Sequence, residues 1–197
     1  MFKWMMVLTL AILLVMSAGV MAQNKMKPAI YAGGGLGMPL SPTEFKDGYK
    51  MGYGFGAGVG LEFTPGIEVI GKFFYNTFSL DVPDGADVDG GDFKSLEFGV
   101  DGKYLFMANQ PEMKIHPYIL VGVGMANVKV TEATIGDETF PEESETKLMF
   151  NGGGGVEFAV SPKAAIWVDA RYATVLTEDE SISYLPIRAG VKFFVGN

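Results

Sequence analysis

The dominant pattern along the chain is a strict alternation of apolar residues with small or polar ones. Between Met51 and Phe63 the odd-numbered positions are all apolar, whereas the even-numbered positions are five glycines followed by Glu62. A period of two places successive side chains on opposite faces of an extended chain. This segment is therefore predicted to be a strand with one apolar face and one small or polar face.

Seven further segments show the same alternation, and no segment downstream of the N-terminus shows a helical period. Residues 93–107, for example, place Phe98 and Val100 on one face and Glu97 and Asp101 on the other. Eight such strands predict an all-β fold in which an antiparallel sheet closes on itself. The predicted strands span about residues 29–40, 50–63, 67–80, 93–107, 115–130, 146–160, 165–176 and 184–195.

The connections between the predicted strands alternate between short and long. Thr64-Pro65-Gly66 and Ser161-Pro162-Lys163 have the proline and glycine chemistry of tight turns. The longer connections carry most of the 23 acidic residues. Short turns at one end and long loops at the other are typical of an up-and-down transmembrane β-barrel, which is the architecture that we predict.

The choice of outward face follows from volume. An eight-stranded barrel has an interior just wide enough to be filled by side chains, so the glycine face is expected inside and the bulky apolar face outside, in lipid. A soluble, lipocalin-like lipid-binding barrel, with the aromatic face inside, is the alternative. Aromatic residues near the strand ends are assigned to interfacial girdles: Tyr31, Tyr75, Tyr104, Tyr172 and Phe193.

The inward face then collects a nearly balanced set of acids and bases. Charges removed from bulk water must pair or accept hydrogen bonds, because an isolated buried charge is costly. We therefore expect an ion-pair network that fills the lumen, and some leak or gated conductance is the alternative. Ile70, Phe74 and Trp167 are the sizeable apolar inward candidates in mid-strand, and they would line a conduit for hydrophobic compounds. The predicted network comprises Glu62, Glu68, Lys72, Glu97, Asp101, Lys103, Glu157, Asp169, Arg171, Arg188 and Lys192.

The N-terminus has the features of a secretory signal peptide. Lys3 precedes a long uncharged run that ends in Val20-Met21-Ala22, directly before polar Gln23. We predict that residues 1–22 are cleaved and that residues 23–197 form the barrel domain. An uncleaved membrane anchor is the alternative, since the uncharged run approaches the ~20 residues that span hydrocarbon.

Composition narrows the possible chemistry. The net charge of −8 argues against a nucleic-acid partner, and the absence of cysteine excludes disulfides and thiol catalysis. The single histidine, His116, follows a short connection and thus lies at the end opposite the acidic loops, where no loop serine or aspartate can use it as a base. We expect no catalytic residues, no enzyme activity and no cofactor.

Four loop aspartates are weak candidates for a metal site. Hard cations such as Ca²⁺ take several oxygen ligands from flexible loops, but the spacing here does not fit the EF-hand template. Solvated, mutually repelling carboxylates are the default interpretation. The candidates are Asp84, Asp87, Asp89 and Asp92.

Several segments together resemble the small OmpA/OmpX-type eight-stranded outer-membrane β-barrel family. They are Pro117-Tyr118-Ile119 leading into Gly122-Val123-Gly124, the two tight turns, and the closing segment 185–194. The resemblance covers residues 28–195. It implies a monomer exported to the bacterial outer membrane, with the assembly machinery and lipid or lipopolysaccharide as partners.

The same resemblance implies a role in envelope integrity and in surface interactions through the acidic loops. A small-solute or hydrophobic-compound conduit of the OmpW type is the functional alternative.

Overall fold

A computed structural model describes residues 26–83, 85, 88–110, 112–177 and 180–195. The predicted signal peptide lies outside these residues, so its cleavage stays a prediction. The elements in chain order are β1 (Lys27–Ser41), α1 (Thr43–Gly48), β2 (Gly52–Thr64), β3 (Ile67–Phe78), β4 (Val88–Gly90), β5 (Phe93–Leu105), β6 (Ile115–Val130), β7 (Ala133–Ile135), β8 (Glu138–Phe140), β9 (Glu143–Ser161), β10 (Ala164–Val175) and β11 (Ile182–Phe194).

Eight of these strands close into one barrel in the order β1-β11-β10-β9-β6-β5-β3-β2. Every neighbouring pair is antiparallel, and the ring is closed where Ile30 of β1 lies opposite Phe193 of β11. Closure leaves none of these eight barrel strands with an unpaired edge. The predicted eight-stranded antiparallel up-and-down barrel is confirmed, with strand bounds that differ from the prediction by a few residues.

The two ends of the barrel differ in their connections. Residues 65–66, 106–114 and 162–163 form short links at what we call the short-turn end, where Gly66 adopts a φ of +89° that glycine tolerates. The long-loop end holds α1 and a three-stranded sheet in the order β4-β7-β8. Within the described residues, no helix is long and apolar enough to cross a bilayer.

The bulky apolar face points outward. Tyr53, Phe55 and Val59 are 62 %, 57 % and 66 % exposed, whereas the alternate glycines of β2 face the interior. A Cβ atom added to Gly56 would lie 2.4 Å from a ring carbon of Phe74, so the interior has no room for larger side chains there. The prediction of an apolar outer wall is confirmed, and the lipocalin-like orientation is wrong.

One aromatic assignment is wrong. Tyr31 is 7 % exposed and points into the barrel, because it shares the inward parity of Ala29 on β1. The girdle assignment relied on residue type, whereas strand parity decides the face. Tyr104, Tyr172 and Phe193 do lie on the exposed outer wall, and Tyr75 is half-buried.

Candidate functional site in the barrel interior

The charged residues of the predicted network all lie on inward-facing strand positions. Nine are buried, whereas Lys72 and Glu62 are half-buried. Glu62 stands apart at the short-turn end, where its carboxylate is 4.0 Å from the ammonium of Lys27. The others form three groups stacked along the barrel axis, and each group combines opposite charges from several strands.

The turn-side cluster consists of Glu68, Lys103, Glu157 and Lys192. Lys103 donates to Glu157 at 2.5 Å and lies 3.5 Å from Glu68, while Lys192 contacts the same two carboxylates at 3.2 and 3.1 Å. The hydroxyl of Tyr31 donates to Glu68 at 2.5 Å. Two ammonium groups thus alternate with two carboxylates, and every charge has opposite charges on both sides.

The central cluster consists of Lys72, Asp101, Asn151, Asp169 and Arg171. The Arg171 guanidinium donates to both oxygens of Asp169 at 2.9 and 2.8 Å, and to Asp101 at 2.6 Å. Asp101 also forms an ion pair with the Lys72 ammonium at 2.8 Å and accepts a hydrogen bond from Asn151 at 3.2 Å. The planar, forked guanidinium suits this bidentate arrangement better than an ammonium group would.

The loop-side cluster is built around Glu97, which is fully buried. Its carboxylate accepts from Arg188 at 3.2 Å, from Asn76 at 2.5 Å and from the hydroxyl of Tyr184. The Arg188 guanidinium also stacks over the Phe74 ring, 3.6 Å from its centre. Hydrogen bonds and a cation–π contact therefore replace the water that these two charges lose on burial.

Above the loop-side cluster the barrel is closed by an aromatic plug of Phe45, Phe78, Phe93 and Tyr184. Phe45 comes from α1, and its ring centre lies 4.9 Å from that of Phe93 and 5.4 Å from that of Phe78. Phe78 in turn packs edge-on against Tyr184 at 5.5 Å. The helix α1 thus inserts one aromatic side chain into the long-loop end of the barrel.

Ile70, Phe74 and Trp167, the sizeable apolar residues predicted on the inward face in mid-strand, are all buried, but they are not the only apolar residues inside the described barrel. Continuing the alternation of inward and outward positions to the end of each strand identifies the other buried apolar residues in the sequence. The further buried apolar and aromatic residues on inward positions include Tyr31, Phe78, Phe93, Tyr118, Leu120, Val128, Met149 and Tyr184.

The space left in the lumen is small. A cavity of about 40 Å³ lies beside the central cluster and is lined by Ile70, Phe74 and Trp167 together with the charged residues. That volume holds two or three water molecules at about 15 Å³ each. The indole N–H of Trp167 and the Nε of Arg188 have no hydrogen-bond partner in the described chain, so they are the natural donors to such waters.

The remaining candidates do not assemble into a site. His116 lies at the short-turn end, opposite Glu157 in the strand register. Asp89 is exposed on β4, and the backbone N–H of Asp92 donates to Thr131 at 2.9 Å. Asp84 and Asp87 lie outside the described residues, and the described part of the chain holds no group of acidic or histidine side chains able to bind a metal ion.

The barrel fold of this chain is shared with known proteins. The sequence matches the family model "Outer membrane protein beta-barrel domain" over residues 8–193. The chain belongs to this family. Membership in this outer-membrane barrel family places the protein in the bacterial outer membrane, with its exposed apolar wall against lipid.

Solved structures of outer-membrane barrels share the fold at low sequence identity. Neisserial surface protein A has a TM-score of 0.62 at 16 % identity, and the match covers 85 % of this chain and 97 % of that one. A major outer membrane protein from Thermus thermophilus has a TM-score of 0.59 at 12 % identity, covering 86 % of this chain and 99 % of that one.

The N-terminal β-barrel domain of Pseudomonas aeruginosa OprF has a TM-score of 0.51 at 18 % identity, covering 86 % of this chain and 97 % of that one. Among curated proteins, none matches the sequence. These likenesses concern the fold of the outer-membrane barrel.

Proposed function

We propose that the protein is a closed, non-enzymatic barrel that contributes to the integrity of the outer membrane and presents its acidic loops to external partners. The observation that carries this proposal is the filled lumen. Three charged clusters and the aromatic plug follow one another along the axis, and the cavity between them is about 40 Å³. Side chains that fill the cross-section at successive levels oppose the passage of a solute larger than water.

The non-enzymatic part of the proposal rests on the separation of the chemical groups. The acidic residues of the long loops and His116 lie at opposite ends of the barrel. The buried carboxylates are engaged with lysine or arginine at contact distance, which removes them from use as a general acid or base on an external substrate.

The partners follow from the two surfaces. The apolar wall takes membrane lipid and, at the outer leaflet, lipopolysaccharide, while the outer-membrane assembly machinery inserts the barrel. We propose that the barrel works as a monomer, because its eight strands close into a ring within one chain and leave no barrel edge for a second copy.

The alternative is a conduit for small or hydrophobic compounds, and single-channel recording distinguishes the two. Purified protein is reconstituted in planar bilayers, and folding is checked by gel mobility in SDS before and after boiling. We expect no steady conductance steps from the native barrel. Steady unitary steps from the native protein would establish a conduit and overturn the proposal.

A matched variant makes the negative result informative. Replacing Phe74 and Trp167 together by alanine removes two large apolar side chains beside the central cavity. We expect this double variant to show at least intermittent water or ion leakage in the same bilayers. Silence from the native protein then reflects its filled lumen and not a failure to insert.

A further inference from the structure

Two lysines lie directly opposite each other on the outer wall, on the long-loop side. Lys94 of β5 and Lys129 of β6 are register partners. Both point outward, because their neighbours Phe93, Ser95 and Val128 are buried inside. Side chains at directly opposed positions have Cβ atoms about 5 Å apart, and like charges placed there destabilise a sheet unless a counter-charge lies between them.

The protein itself supplies only part of that counter-charge. Lys129 contacts the Glu142 carboxylate at 2.5 Å. Lys94, in contrast, has no acidic partner within the described part of the chain, where the ion pairs involve other lysines and arginines. The pair therefore retains a net positive charge on a protein whose overall charge is −8.

The depth of the two lysines follows from the apolar wall beneath them. On the outer wall, exposed or half-buried apolar residues occur between Leu96 on β5 and Phe106 directly after it, and between Ile115 and Met125 on β6. Ten residues of a strand tilted by about 40° span about 26 Å, which is the height of the apolar band of an outer-membrane barrel. The next outward position on β5 is Lys94, so its ammonium lies at the depth of the outer-leaflet headgroups.

Neutral polar side chains extend the patch toward β9. Asn127 donates to the Thr146 hydroxyl at 3.0 Å and to the Ser144 hydroxyl at 3.2 Å. By strand parity these three residues share the outward face with the lysines. We define the basic rim patch as Lys94, Asn127, Lys129, Ser144 and Thr146.

The rest of the rim differs from this patch. The outward positions near the long-loop end carry Met38 on β1, Tyr53 on β2 and Leu185 on β11. Lys50, which precedes β2, is paired with Asp81 at 3.5 Å. On the described strand positions near the long-loop end, the positive charge without an ion-pair partner lies on the β5–β6–β9 side of the barrel. Lys46 is also exposed without an ion pair among the described residues, but it lies on α1 and not on a lipid-facing strand.

We infer that the basic rim patch binds the phosphate group of a phosphorylated glycolipid in the outer leaflet. The inference rests on the proposed function, because it requires the barrel to span the membrane, and it assigns one lipid contact to named residues. A phosphate between Lys94 and Lys129 relieves their repulsion, and the hydroxyl and amide groups nearby match the sugar hydroxyls of a glycolipid headgroup.

The test compares lipids that differ only in phosphate. Full-length folded barrel is reconstituted in phosphatidylcholine nanodiscs doped with bis-phosphorylated lipid A or with its dephosphorylated form, and co-purified lipid is counted by native mass spectrometry. We expect retention of the phosphorylated form only. Each lysine contributes about fivefold, so Lys94→Gln with Lys129→Gln weakens retention roughly thirtyfold.

The control variant is Lys163→Gln, which removes the same charge from an exposed turn at the other end and should leave retention unchanged. Equal retention by the double variant, or no preference for phosphorylated lipid, overturns the assignment of the patch. Full competition by millimolar inorganic phosphate also overturns it, since the site would then take free phosphate and not a lipid. Failure of the native barrel to enter the nanodisc would instead contradict the proposed function.

Discussion

The two halves of the barrel interior are filled by different chemistry. Toward the short-turn end the cross-section is occupied by the turn-side and central clusters, in which every charge contacts at least one opposite charge. Toward the long-loop end it is occupied by the aromatic plug. Removing one charged residue leaves its partner buried without a counter-charge, so the stability of the charged half depends on every member. In the aromatic half, each ring adds its own packing energy.

The largest expected effect is the removal of one charge from the central cluster. Arg171→Met leaves Asp169 without its guanidinium partner and deprives Asp101 of one of its two cations. Breaking a buried pair from one side costs about 3–5 kcal/mol, since the remaining charge is buried without compensation. Urea unfolding in lipid vesicles, followed by Trp167 fluorescence, measures this loss. A loss below about 1 kcal/mol would show that water compensates the aspartates.

The aromatic half is tested with Phe45→Ala. The substitution removes the ring that α1 inserts between Phe78 and Phe93. We expect a loss of about 3 kcal/mol in the unfolding free energy, at the lower end of the range for a buried phenylalanine. The charged clusters should keep the lumen closed, so bilayer recordings of this variant should stay silent. Stable channels would mean that the plug alone closes the barrel.

The close packing of interior side chains against the strand glycines is tested by a matched pair of substitutions. A Cβ at Gly56, which faces inward, would lie 2.3 Å from the Phe73 carbonyl oxygen, whereas a Cβ at Gly71 would have its nearest contact at 3.8 Å. We expect Gly56→Ala to cost about 2 kcal/mol through overpacking. Gly71→Ala should stay within about 0.5 kcal/mol of the native value. Similar losses for both would refute the close packing of the interior.

The smallest expected effect concerns an ion pair outside the lumen. Lys50 and Asp81 lie 3.5 Å apart with more than half of each side chain exposed. Exposed pairs contribute about 0–1 kcal/mol, so Lys50→Gln should barely change the unfolding free energy, and added salt should abolish any difference. A loss comparable to that of Arg171→Met would remove the distinction between buried and exposed charges.

The fold was predictable because alternation is a local property of the chain. The period of two identified all eight barrel strands, and the glycine face of β2 identified the inside. The helix α1 and the strands β4, β7 and β8 were not predicted, because elements of three to six residues are too short to show a period. Their formation depends on contacts with the barrel rim and with each other.

The sequence predicted which charged residues lie in the candidate site, but it did not predict which of them contact one another. Strand parity places Glu68, Lys103 and Lys192 inside, but which of them meet depends on the stagger between strands that are distant in sequence. The misassignment of Tyr31 has the same origin as the missed aromatic plug. In both cases residue type was used near a strand end, where parity is the more reliable guide.

The turn-side cluster has a consequence for how the barrel assembles. Its four charges come from β3, β5, β9 and β11, so no hairpin of adjacent strands contains all of them. Before the first and last strands join, these ammonium and carboxylate groups keep their hydration, because the alternative is a bare charge in lipid. We therefore expect the lumen to lose its water only when the first and last strands join.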